Sequence, residues 1–180
     1  MANSTVKRFL PLSLTAFVIL LDQISKALVV KYIPENTIFK SFFWDFLEII
    51  HVRNDAIAFS IGSALDVPIK IVFFIILPII LMVLVIYCVL STKADKDFTF
   101  FQKWCLAAIA GGGIGNLIDR VFRQLRVVDW ISTDMYGFLG FDRFPTYNIA
   151  DASIVVAVCL ILLSFLIGER KKIRVRKLIH

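Results

Sequence analysis

The sequence predicts an all-α membrane protein: four transmembrane helices with a small extracytoplasmic β-rich cradle. Three observations lead there. Of the 180 residues, 59% are hydrophobic and 19% charged, with a mean hydropathy of +0.83, whereas soluble domains lie near half apolar and a quarter charged. Four apolar runs approach the roughly 20 residues that a hydrocarbon core of about 30 Å demands. Basic residues, finally, gather on one set of connections.

The first span is expected over residues 9–33, interrupted by Asp22 and Lys26. Lys7 and Arg8 ahead of an apolar stretch resemble a secretory leader, but no small-x-small cleavage site follows, so the run reads as a retained helix. The second span, 69–90, is the most continuous and contains Pro78, which membrane helices tolerate. Residues 104–118 form the third, rich in Ala and Gly and ending at Asp119 and Arg120. The fourth, 149–167, carries Asp151 near its start. One domain accommodates all four.

Orientation follows from the cations. The N-terminus, the 91–103 loop and the tail after Gly168 hold eleven cations and three acids, a net +8, against −2 for the rest. Both termini are therefore expected in the cytoplasm. Six of the twenty cations fall in the last eleven positions, beside an apolar helix; such a cluster suits lipid headgroups, and no nucleic-acid partner is expected. The extracytoplasmic segments are 34–68 and 119–148. In 34–68, aromatics mix with alternating polar residues, which suggests strands or a strand plus an interfacial helix. The Phe and Trp residues of both segments suit an interfacial aromatic belt.

Ionisable residues within spans are costly and are usually functional or paired. At 1.5 Å per residue, Asp22 lies about 20 Å above Phe9 and Asp119 about 24 Å above Lys103. Asp151 sits just below the outer end of its helix. Three helices thus place a carboxylate in the same outer third of the bilayer, and Asp129, ten residues beyond Asp119, can return to that level. Structural roles stand beside each. Asp22 and Lys26, four apart, can neutralise each other; Asp119 can pair with Arg120 or Arg123; Asp151 can be a helix-start acid with Asn148 as N-cap. Asp129, in Val-Val-Asp-Trp, has no basic residue near it in sequence beyond Arg126, though a strand with one wet face would explain it. Asn116 precedes Asp119 by three and Arg120 by four, and Asn148 precedes Asp151 by three; these amides can orient a carboxylate or simply join helices.

Two carboxylates sharing a low-dielectric site cannot both ionise easily. One then acts as base on water while the other, protonated, donates to a carbonyl oxygen. That chemistry needs neither metal nor cofactor, and none is expected. The three cysteines (Cys88, Cys105, Cys159) lack CxxC spacing, and His51 and His180 have no neighbours at ligand spacing. Gly111-x-x-x-Gly115 signals close helix packing. A Ser25–Lys26 dyad is disfavoured, because adjacent helical residues do not face each other. A proton-coupled transporter would need acids in the inner halves of the spans, which hold none. A non-enzymatic assembly subunit would tolerate loss of Asp129.

The stretches LDQISK (21–26), HVRNDAIAF (51–59), GGGIGNLIDR (111–120), VVDW (127–130) and FPTYNIAD (144–151) together resemble those of the lipoprotein signal peptidases, the signal peptidase II family of bacterial membrane aspartyl proteases. The resemblance implies a multi-pass inner-membrane endopeptidase, acting near the extracytoplasmic face. It would cleave prolipoproteins before a cysteine carrying a diacylglyceryl group. It implies Asp129 and Asp151 as the catalytic pair. Asn54, Asn116, Arg120 and Asn148 would contact substrate or brace the pair, with Asp119, Asp22 and Lys26 in support. It also implies inhibition by the cyclic peptide globomycin; a monomer is expected. The chain departs from the family after Arg53-Asn54, where x-Gly-Ala-Ala-Phe is usual and Asp55-Ala56-Ile57-Ala58-Phe59 stands.

Overall fold

The computed structural model describes residues 2–55 and 66–179; Ala56, Ile57, Ala58 and Phe59 lie outside the described residues. The chain opens with a short helix α1 (Ala2–Phe9), then α2 (Leu12–Tyr32). The expected start at Phe9 is thus split: Pro11 has no N–H to donate, and Leu10–Pro11 forms a turn between the two helices. The second span comprises α3 (Val67–Ile71), a π-helical turn (Val72–Ile76) and α4 (Leu77–Leu90). Pro78 explains the wide turn. Its ring crowds the carbonyl four residues back, which belongs to Phe74, inside that turn.

Helix α5 runs from Phe100 to Phe122, about a turn longer at each end than its apolar core. A capping box starts it: Gln102 N donates to Thr99 Oγ1 (3.2 Å) and Thr99 N to Gln102 Oε1 (2.8 Å). Helix α6 (Ile149–Ile179) continues well past the expected end at Ile167, through a tail rich in the helix-favouring residues Lys and Arg. Four stretches, Val6–Tyr32, Val67–Leu90, Phe100–Phe122 and Ile149–Gly168, are long and apolar enough to cross a membrane.

The glycines of α5 let its neighbours approach on three sides. A Cβ on Gly111 would lie 2.8 Å from Val18 Cβ of α2 and one on Gly112 2.4 Å from the Ala150 carbonyl of α6. On Gly113 it would lie 2.2 Å from Met82 Sδ of α4. Thr15 Oγ1 donates to the Ala107 carbonyl at 2.7 Å, adding a polar tie between α2 and α5.

A three-stranded antiparallel sheet sits at the C-terminal end of α5, ordered β1 (Ile38–Phe42), β2 (Leu47–Asn54), β3 (Val127–Thr133). The hairpin between β1 and β2 turns through Phe43, Trp44 and Asp45, all at positive φ (53°, 53° and 65°). In the sheet, Val52 lies opposite Asp129 and Asn54 opposite Val127. Val128 is buried against Val29 and Ile33, which fixes β3 to the end of α2.

Candidate active site

Three local features bring Asp129 back to the helices. Helix α5 ends through Gln124 and Leu125, both in the left-handed region (φ 56° and 64°). Arg120 closes this reversal: Leu125 N donates to its carbonyl at 3.0 Å, and its own Nη1 donates to the Leu125 carbonyl at 3.1 Å. Asp119 Oδ2 then accepts from Val128 N at 3.0 Å, pinning the start of β3 to α5. The next residue is Asp129, 2% exposed.

Asp151 is placed by the start of α6. Its backbone N donates to Asn148 Oδ1 (3.0 Å), and Asn148 N donates back to Asp151 Oδ2 (3.2 Å). This is a capping box made from Asn and Asp. The same Asn148 donates through Nδ2 to Asp129 Oδ1 at 2.7 Å, so one fully buried residue joins the two carboxylates, Asp129 through its side chain and Asp151 through its backbone N–H. Asn54 Nδ2 donates to Asp129 Oδ2 at 3.0 Å, across the β2–β3 register. Asn116 Nδ2 donates to Asp151 Oδ1 at 2.7 Å.

Behind the pair lies a second polar layer. Lys26, fully buried, pairs with Asp22 at 2.8 Å and Asp119 at 3.2 Å, and donates to Asn116 Oδ1 at 2.8 Å. Its charge thereby fixes the Asn116 amide with the oxygen toward Lys26 and the nitrogen toward Asp151. Asp22 Oδ1 accepts from Ala150 N at 3.1 Å, joining α2 to the first turn of α6. Arg123 approaches Asp119 Oδ1 at 3.4 Å. Buried charges persist only when paired and hydrogen-bonded, and this cluster meets both conditions.

Electrostatics sets Asp129 apart. Burial, and then the negative field of Asp151, push its carboxyl up to about 7; the Asn54 and Asn148 donors and the Lys26 charge pull the other way. It therefore holds a proton through the weakly acidic range, with Asp151 beside it as the second carboxylate. Arg120 lies within the field of both aspartates, and its guanidinium stacks over the buried Phe74 ring at 4.4 Å.

The structure brings Asp22, Lys26, Asn54, Asn116, Asp119, Asp129, Asn148 and Asp151 into one connected network, with Arg120 at its edge. Gln23 is a further member that sequence reasoning missed. Its Nε2 lies within hydrogen-bond reach of Asp22 Oδ2 (3.1 Å), the Gly115 carbonyl (3.0 Å) and Asp119 Oδ1 (3.2 Å). The available signal was its position between Asp22 and Lys26, on the same polar stripe of an otherwise apolar helix.

The family model for signal peptidase (SPase) II matches residues 14–167. The chain belongs to the signal peptidase II family. It is 42% identical over 153 residues to the lipoprotein signal peptidase of Borrelia hermsii, covering 85% of this chain and 87% of that one. With the lipoprotein signal peptidase of Treponema pallidum it shares 39% over 165 residues, covering 92% and 87%. A solved bacterial membrane enzyme superposes with a TM-score of 0.74 at 29% identity, over 90% of each chain. The chain is thus an aspartic endopeptidase of the signal peptidase II type. Asp55, the last described residue before the Ala56-Ile57 departure, is held by Lys70 of α3 at 3.1 Å.

Proposed function

We propose that this enzyme removes signal peptides from diacylglyceryl-modified prolipoproteins, cutting before the lipidated cysteine, with Asp129 and Asp151 as the catalytic pair. The observation that carries the reading is Asn148, which holds one carboxylate through its side-chain amide and the other through its backbone N–H. The pair shares one proton. The ionised carboxylate takes a proton from water as its oxygen attacks the scissile carbonyl, while the protonated carboxyl donates to the developing oxyanion. Collapse of the tetrahedral intermediate breaks the C–N bond, and the departing nitrogen takes a proton back from the pair. Asn54, Asn116 and Asn148 position the carboxylates; Lys26, Asp22 and Asp119 hold Asn116 and β3; Arg120 supplies positive charge at the edge.

The distribution of cations supports cytoplasmic termini in the inner membrane and a sheet on the extracytoplasmic side. On that reading the β1–β2–β3 sheet is a cradle over the site, and substrate acyl chains lie against outward-facing apolar residues of the helices. Globomycin would occupy the same cleft, and a single copy of the chain carries all the residues invoked. The test is cleavage of a diacylglyceryl-modified prolipoprotein by purified enzyme in detergent, beside Asp129→Asn and Asp151→Asn. Turnover by the unaltered chain alone, with both variants folded, supports the dyad; cleavage by either variant overturns it.

A further inference from the structure

At the opposite end of the bundle from Asp129 and Asp151, a cavity of about 500 Å³ opens between the α1–α2 turn and the start of α5. Lys7, Arg8 and Lys103 line it together with Asp95, Pro11 and Phe100. Lys103 is 6% exposed and is held by the Asp95 carboxylate and by the Ser91 carbonyl, at 3.0 Å. Lys7 and Arg8 have no acidic partner among the described residues. Three cations therefore face one acid in a recess whose remaining walls are apolar. A half-open recess lined by an excess of one sign of charge concentrates ions of the other, here an anion.

We propose that this recess binds the phosphate headgroup of an anionic phospholipid. The position selects a lipid over a soluble phosphate. The recess lies where the spans Val6–Tyr32 and Phe100–Phe122 begin, about 24 Å along α5 from Asp119 to Lys103 at 1.5 Å per residue, so it falls at headgroup depth. Leu10 and Phe100, which line it, are about half exposed and offer an apolar wall to acyl chains. A phosphodiester between Lys7, Arg8 and Lys103 would complete the charge that Asp95 leaves unbalanced. It would also tie α1 to α5 across the Leu10–Pro11 break.

The full chain, purified in a neutral detergent, is titrated with phosphatidylglycerol, phosphatidylcholine or inorganic phosphate and read by native mass spectrometry. Phosphatidylglycerol should bind at least tenfold tighter than phosphatidylcholine, and inorganic phosphate should not displace it. The double variant Lys7→Gln/Arg8→Gln should weaken that binding roughly thirtyfold, as expected for two cations near a membrane surface. Lys93→Gln/Lys96→Gln, which removes two cations outside the recess, should leave it unchanged. Equal binding of the two lipids, displacement by inorganic phosphate, or equal weakening by both double variants would each overturn the proposal. Prolipoprotein cleavage in detergent reads the aspartate pair separately, so failure of one reading is not failure of the other.

Discussion

Asn148→Ser separates two tasks that one side chain performs. A serine hydroxyl can still cap α6 by accepting from Asp151 N, but it lacks the amide that donates to Asp129 Oδ1 at 2.7 Å. A hydrogen bond to a charged group contributes about 1.5–3 kcal/mol, and one pKa unit corresponds to about 1.4 kcal/mol. Losing a donor that favours the carboxylate should therefore raise the Asp129 pKa by about one to two units. Asp129 already stands at about 7, so in the unaltered enzyme the pair loses its last proton as pH rises through that value. If one shared proton is required, kcat/KM falls on that alkaline limb, and the limb should move to higher pH in Asn148→Ser. The assay is a pH series of prolipoprotein cleavage with unaltered and variant enzyme. A limb that stays in place, or moves to lower pH, in a folded variant would refute Asp129 as the carrier of that proton.

Stability should follow the same group. The Asp129 pKa is raised from 3.8 to about 7 on folding, so the folded state binds the extra proton between those values and stability falls as pH rises through them. From pH 5 to 8 the loss is about 3 kcal/mol, and Asp129→Asn should remove that part of the slope in thermal unfolding; a slope unchanged in the variant refutes it. Among the described residues Lys26→Met leaves buried Asp22 without a cation and Asp119 with Arg123 alone, at 3.4 Å, and should cost about 3–5 kcal/mol. A melting temperature equal to the unaltered protein's would show that the cluster does not need its cation. Gly115→Ala sets a methyl 2.7 Å from Asp22 Oδ2 and should cost about 1–3 kcal/mol with slower cleavage; full activity and stability would mean the helices part without consequence.

Much of this was legible in the sequence for definite physical reasons. Hydrocarbon thickness fixes the length of an apolar run, so the four spans could be read directly. A carboxylate within such a run stands out against its neighbours, which is how Asp22, Asp119 and Asp151 declare themselves. What local pattern cannot carry is long-range pairing. That Lys26 lies between Asp22 and Asp119, or that Asn148 spans to Asp129, depends on how close α5 comes to α2 and α6. The glycines hinted at that closeness without naming the partners. The π-helical turn beneath Arg120 was invisible in the apolar pattern, since Pro78 shifts the backbone without changing hydropathy. Asp119 and Arg120 look like a polar boundary at the end of the apolar run, yet α5 continues to Phe122 and Asp119 is fully buried.

The joint occupation of the two carboxylates has one more consequence. Among the described residues, each of the four oxygens accepts a side-chain or backbone donor: Asn148 Nδ2 and Asn54 Nδ2 on Asp129, Asn116 Nδ2 and Asn148 N on Asp151. A carboxylate oxygen has about two lone-pair directions, so one donor on each is compatible with an incoming water or the shared proton on the other. The enzyme can thus receive its reactants on spare lone pairs and leave every structural bond intact. No side chain has to let go of the fold before the peptide bond is broken.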